Sequence, residues 1–183
     1  MKKRVNVRKT NKGEKVVINV SDRPRFGQIE NILLKLNKFP IIREFKFIKK
    51  IIHKICGVPL SSSFSREFSL LRPIIEVGEN TALYDTLITG CGLIKIGNNC
   101  SFSHRNMIVS SAHNIDDFHK ITLRPVTIGN NVWITSNITI LGGVTIGDNT
   151  IIGAGSIVNK DIPSGVFATG NPCKVIKEIN FKK

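Results

Sequence analysis

No apolar run in the sequence approaches the roughly 18 residues that a membrane-crossing helix needs. The opening MKKRVNVRKT is charged and leads into no apolar stretch, so a secretory signal is not expected and cytoplasmic residence is. Cysteine is sparse. Cys56, Cys91, Cys100 and Cys173 stand apart with no CxxC pair, which argues against a zinc site or a disulfide framework and for buried, reduced thiols. Acidic residues are scarce as well, 13 Asp and Glu against 27 Lys and Arg. The imbalance is local: residues 1–60 hold 16 basic and 4 acidic side chains, a net of +12, whereas 61–183 hold 11 and 9. A basic N-terminal third points to an anionic partner, whether an acidic glycan, a lipid phosphate, a membrane surface or a nucleic acid. The length of 183 residues suits one domain with a substantial core and a small appendage.

Within the basic region 1–60, residues 4–20 read as two short strands around Asn11-Lys12-Gly13, an N-terminal hairpin. Ile29, Ile32, Leu33 and Leu36 recur at i, i+3, i+4, i+7 and predict an amphipathic helix over 28–37. Pro40 interrupts it. A second amphipathic helix carries Ile41, Ile42, Phe45, Ile48, Ile51, Ile52 and Ile55 on one face and Arg43, Lys46, Lys49, Lys50 and Lys54 on the other, ending at Gly57 and Pro59. Residues 61–75 read as a connector.

From residue 76 to about 165 the composition shifts to β-branched residues, Gly and Asn. Ile128, Ile134, Ile140, Ile146, Ile152 and Val158 recur six apart without a break. Four places after the first five of these stand Val132, Ile138, Val144, Thr150 and Ser156, all β-branched or small. A weaker phase precedes them at Ile96, Phe102 and Ile108, and Val77 and Leu83 stand where it would extend further back. Six is neither the helix period nor the simple strand period. It suits a short strand with one inward aliphatic, followed by a corner whose unusual backbone angles Gly, Asn and Asp tolerate. Three such hexads close a triangular coil of 18 residues, so Ile128 stacks on Ile146, Ile134 on Ile152 and Ile140 on Val158. This predicts a mainly β protein, a parallel β-helix in the form of a triangular prism.

The beat breaks between Ile108 and Ile128, a gap of 20 that is not a multiple of six. An excursion over about 109–125 must leave the prism there, carrying His113, Asp116, Asp117 and His119.

The stretches SSAHNID, RPVTIGNNVWI, GGVTIGDNTIIGAGSIVNKDIP and ATGNPCKVIKEI, in that order over about residues 94–179, resemble the hexapeptide-repeat acyltransferases. They are similar in particular to the maltose, galactoside and nodulation-type sugar O-acetyltransferase branch. The resemblance implies a left-handed prism, a homotrimer, and acetyl-CoA lying in the groove between subunits. It implies that His113, in SSAHNID, is the general base that deprotonates the acceptor hydroxyl, a role worth about 10²–10⁴ in rate. The group orienting its second ring nitrogen is left open among Asp116, Asp117 and a backbone carbonyl. Ser136 and Ala154 are implied to line the pantetheine arm, with Asn159 and Lys160 at the next corner, and Lys160, Lys174 and Lys177 are candidates to reach the CoA phosphates. The family commonly has glycine after Trp-Ile, where Thr135 stands here. Tyr84 and Asp85 are candidates for the acceptor. His104, His113 and His119 are spaced 9 and 6 apart, unlike a zinc triad at the coil period, so no metal is expected. The region 166–183 is expected to form a closing turn at Asn171-Pro172-Cys173 and a short tail helix.

The leading expectation is therefore acetyl-CoA-dependent O-acetylation of a saccharide hydroxyl. The acceptor is expected to be a cell-envelope glycan such as a capsule or lipopolysaccharide precursor, anionic or lipid-linked, with peripheral membrane contact at the inner face as one use of the basic helix. The alternatives are acetylation of a small xenobiotic or amino-acid hydroxyl, or a non-catalytic basic trimeric binding module. No nucleic-acid partner is expected, since the basic third offers no aromatic stacking platform.

Overall fold

The computed structural model describes residues 16–36, 38, 45–65, 67–70 and 75–180. Most of the hairpin expected over 4–20, and residues 41–44 of the second helix, lie outside that set.

The hexads wind as a three-sided column. Strands β10 (Val126–Ile128), β11 (Trp133–Ile134) and β12 (Thr139–Ile140) are followed one coil later by β13 (Thr145–Ile146), β14 (Ile151–Ile152) and β15 (Ile157–Val158). The pairs are parallel, with Ile128 on Ile146, Ile134 on Ile152 and Ile140 on Val158. Successive strands enter three different sheets, one per side. A two-residue strand points one side chain out and one in, and the inward Ile134, Ile140, Ile146, Ile152 and Val158 are all 0% exposed.

One corner column shows why the triplets Gly-Asn-Asn and Gly-Asp-Asn recur. Asn80, Asn99, Asn131 and Asn149 all have φ of 54–55°. That left-handed conformation suits Asn, whose short amide bonds locally. The amides form a ladder: Asn99 Nδ2 donates to Asn131 Oδ1 at 3.3 Å, and Asn131 Nδ2 to Asn149 Oδ1 at 2.9 Å. The glycine is demanded by close approach, for a Cβ at Gly97 would lie 2.5 Å from the Gly129 carbonyl oxygen.

Upstream coils continue the stack with uneven steps. β5 (Ile94–Ile96), β6 (Ser101–Phe102) and β7 (Met107–Val109) lie on β10, β11 and β12, pairing Ile96 with Ile128, Phe102 with Ile134 and Ile108 with Ile140. Next come β3 (Ile75–Val77), β4 (Leu87–Thr89) and β2 (Ser69–Leu70). There Val77 pairs with Ile96, 19 residues on, Ile88 with Ile108, 20 on, and Leu70 with Ile88, 18 on. Leu83 is fully buried in the same core. The expected connector over 61–75 needs correcting, because β2 and the bridge from Ser63 to Ala82 already belong to the prism.

At the far end β16 (Val166–Thr169) stacks in parallel on β14, and a cis Asn171–Pro172 bond follows. The expected tail helix is instead β17 (Lys174–Glu178), antiparallel to β16. β16 would otherwise leave a row of unpaired backbone groups at the end of its sheet, and β17 satisfies them.

The other end is closed by helices. α1 spans Gln28–Leu36 and α2 spans Lys46–Cys56. Ile52 and Cys56 of α2 pack into the main core with Phe64, Phe68 and Leu70 of the first coil. Gly57, at φ 66°, ends α2 with its N–H directed at the carbonyls of His53 and Lys54. α1 departs from the stripe its sequence predicts. Leu34 leans on the core, whereas Ile29 and Ile32 face outward, 74% and 58% exposed.

All four cysteines are buried free thiols. Burial pushes the Cys56 thiol up to about 12 and raises those of Cys100 and Cys173. A thiol-specific disulfide reagent at about pH 8 should therefore detect no thiol in the folded protein and all four after denaturation. A thiol that reacts rapidly under native conditions would contradict the closed ends of the prism.

Candidate active site

Between β7 and β10 the chain leaves the column as a hairpin of β8 (Ser111–His113) and β9 (Lys120–Leu123). β1 (Val17–Asn19), from far upstream, adds to the other side of β9, setting Ile18 opposite Ile121. Ile18, Ile121, Leu123 and Cys91 form a small second core that fixes the hairpin to the prism. Its root is tight. The Arg124 N–H donates to the Ser110 carbonyl at 2.8 Å, and a Cβ on Gly142 would meet Arg124 Cβ at 2.5 Å.

His113 ends β8 on an exposed surface, with its Nδ1 2.9 Å from the carbonyl oxygen of Phe118. A carbonyl only accepts, so Nδ1 carries the hydrogen, and in the neutral ring Nε2 keeps the free lone pair. That is the tautomer a general base needs. The turn presenting the carbonyl is itself pinned. Asn114 Oδ1 accepts the Asp116 N–H at 2.8 Å, and Asp117 Oδ1 accepts the His119 N–H at 3.0 Å. Asp117 also pairs with Lys120 at 3.1 Å, and Val20 N–H donates to the His119 carbonyl at 2.8 Å. The Lys120 side-chain hydrogen bond, then that of the His119 N–H, hold the Asp117 carboxyl below the usual carboxylate range.

Of the three groups left open for orienting the ring, neither Asp116 nor Asp117 is the one the structure sets against Nδ1. The partner is the backbone carbonyl of Phe118, and Asp117 is committed to Lys120 and the turn. No signal in the sequence distinguishes a carbonyl that every residue carries.

A second column of corners runs along the edge between the β11 side and the β12 side. Tyr84, Arg105, Asn137 and Gly155 occupy it with φ of 43°, 58°, 59° and 73°. Arg105 N–H donates to Asp85 Oδ1 at 2.7 Å, Asn137 N–H to the His104 carbonyl at 3.0 Å, and Gly155 N–H to the Ser136 carbonyl at 3.0 Å. The early end of the edge gathers polar groups. His104 Nδ1 lies 3.6 Å from Asp85 Oδ2, and the His104 and Tyr84 rings meet edge-on at 5.2 Å. A tyrosine or arginine in the left-handed region costs of order 1 kcal/mol, which Asn or Gly would avoid. His104 and Arg105 were not site candidates in the sequence, yet they stand beside Tyr84 and Asp85 here. The signal that could have found them is a bulky pair where later coils put Ser136-Asn137 and Ala154-Gly155.

Ser136 and Ala154 sit on this second edge, the first half-buried and the second exposed. Thr135 does not project across it, since its hydroxyl folds back onto the Ile152 carbonyl at 2.7 Å. Lys174 lies opposite Thr169, at the last corner of the same edge, and Lys177 opposite Phe167. Asn159 and Lys160 belong to the third edge, following β15, the edge from which the His113 hairpin leaves. One chain therefore carries the expected groups on two edges and does not bring His113 to Ser136 and Ala154. Among the described residues no three metal-ligating side chains cluster.

Residues 125–160 match the family model described as "Bacterial transferase hexapeptide (six repeats)". A 56-residue segment is 70% identical to the galactoside O-acetyltransferase of Escherichia coli K12, covering 31% of this chain and 28% of that relative's length. Among solved structures, a maltose O-acetyltransferase from Clostridium difficile 630 superposes with a TM-score of 0.75 at 34% identity, over 84% of this chain and 86% of that one. A galactoside acetyltransferase in complex with coenzyme A gives 0.65 at 32% identity, over 83% and 80%. The triangular column is thus the left-handed parallel β-helix of those proteins, and the chain belongs to the hexapeptide-repeat acyltransferases, in their maltose and galactoside O-acetyltransferase branch.

Proposed function

We propose that the protein is an acetyl-CoA-dependent O-acetyltransferase that modifies a saccharide hydroxyl and works as a homotrimer. The observation that carries the reading is His113, whose Nδ1–H is tied to the Phe118 carbonyl, so that in the neutral ring Nε2 carries the lone pair a base needs. In the transfer, Nε2 takes the acceptor hydroxyl's proton as its oxygen bonds the acetyl carbon. The carbon–sulfur bond breaks, and the proton passes to the departing sulfur. The net exchange is acetyl for hydrogen on the sugar and hydrogen for acetyl on CoA.

The two-edge distribution supports a trimer. The His113 edge of one subunit, set against the Ser136 and Ala154 edge of the next, completes one groove per seam. It would also cover Ile115 and Phe118, 91% and 73% exposed at the hairpin tip. In that groove the bare corner at Ala154 and Gly155 suits a narrow pantetheine arm, with Lys160, Lys174 and Lys177 near its phosphate end. Tyr84, Asp85 and His104 form the acceptor wall: an aromatic edge beside hydrogen-bonding groups fits a sugar ring. The excess positive charge suits a phosphate-linked or acidic glycan of the cell envelope.

Two measurements test this. Released CoA and an acetyl mass gain should appear with sugar acceptors, and sedimentation should give three copies. Turnover on serine or chloramphenicol alone would reassign the acceptor. Complete inactivity of a well-folded trimer across both acceptor classes would leave the binding-module reading instead.

A further inference from the structure

The helical cap over the first coil presents an unusual outward surface. α2 turns Ile52 and Cys56 inward, and the turn spacing then sends Lys46, Phe47, Lys50 and Lys54 outward. Phe47 is 73% exposed and Phe45, just before the helix, 59%. Neighbouring α1 exposes Ile29 and Ile32, and Leu60 after α2 is 51% exposed. Below them, a cavity of about 210 Å³ between α1 and the first coil has Phe64, Phe68 and Leu70 in its walls and Lys35 and Lys38 beside them. Large apolar side chains with lysines interleaved are the composition of a surface lying at the headgroup boundary of a bilayer. Among the described residues no helix is long and apolar enough to cross a membrane, so the contact is peripheral.

We infer that the α1–α2 cap docks on an anionic lipid bilayer, inserting Phe47, Phe45 and the Ile29–Ile32 face while Lys46, Lys50 and Lys54 contact the headgroups. Charge decides between a bilayer and a second copy of the chain. Docking cap against cap would oppose two surfaces drawn from a region of net +12, whereas anionic headgroups neutralise it. The cap closes the opposite end of the column from β17, so this docking leaves the corner edges along its length free. The inference goes beyond the acetyl-transfer reading and does not depend on it, because lipid binding is measured without turnover.

The test is flotation of the full chain with vesicles of phosphatidylcholine, alone or with about 30% phosphatidylglycerol. Binding is expected to the anionic vesicles only, and to fall steeply as salt rises from about 0.05 to 0.5 M. The triple substitution K46Q/K50Q/K54Q removes exposed charges only and should weaken binding roughly a hundredfold. Phe47→Ser should weaken it at least about tenfold, with oligomeric state and CoA release on a soluble acceptor unchanged. Equal behaviour toward neutral and anionic vesicles, or wild-type binding by both variants, would overturn the proposal. So would a change of oligomeric state in Phe47→Ser, which would make the cap an interface between copies.

Discussion

His113→Ala will lower kcat for acetyl transfer by about 10²–10⁴, with little change in KM for acetyl-CoA and stability within about 0.5 kcal/mol of the parent. The stability clause follows from position, because the ring is exposed at the end of a two-stranded hairpin and supports no core. The kinetic clause follows from the tautomer. With Nδ1–H tied to the Phe118 carbonyl, Nε2 is the only ring atom able to take a proton from a hydroxyl. His113→Asn keeps a donor of similar reach but supplies no base, and should fall as far. Asp117→Asn is the informative contrast. It keeps an oxygen for the His119 N–H but loses the charge that pairs with Lys120. A residue acting only through the turn should cost less than about tenfold in kcat. Steady-state kinetics on all three variants decides the matter. An active His113→Ala sinks the base assignment, and an Asp117→Asn as damaged as His113→Ala would restore the carboxylate as the orienting group.

The sequence was most legible where its spacing was strict. From Ile128 to Val158 the hexads keep an 18-residue coil, and each stacked pair read from that spacing is a registered pair in the structure. Legibility failed where steps of 19 and 20 entered the early coils, since a periodic reading has no tolerance for one extra corner residue. It failed again at Lys174–Glu178, where an apolar and charged mixture suits a helix in isolation but the open edge of β16 recruits a strand. The amphipathic stripe of α1 shows the same limit from another side. Periodicity identified the helix, yet the choice of which face turns to the core belongs to tertiary packing. In the candidate site, His113 stood out because it lies in the longest break of the beat and within SSAHNID, the stretch that resembles the family. The clamp by β1 was hidden, for nothing local at Val17–Asn19 says it will pair with a hairpin a hundred residues later. The corner residue Arg105 was hidden by the expectation that corners carry Gly or Asn.

Phe102→Ala should be the most destabilising single truncation, at about 3–5 kcal/mol. Phe102 is 0% exposed, and its strand β6 lies in the middle of the stack: its N–H donates to Ala82 below at 2.8 Å, and it pairs with Ile134 above. Stability in a coil stack is close to a sum of neighbour interfaces, so a cavity in an interior coil weakens the contacts on both sides. Val158→Ala removes fewer atoms from an equally buried position, and β15 stacks on β12 on one side and is met on the other only by the closing turn at Gly170 and Cys173. It should cost clearly less. Urea denaturation at one fixed protein concentration compares the two without confusing folding with assembly. With total stabilities of ordinary domains at about 5–15 kcal/mol, the Phe102 variant should be near the margin of folding at 37 °C. A cost below about 1 kcal/mol for Phe102→Ala would mean that the interior coils do not share one continuous core, and the stacked-column account of this sequence would fail with it.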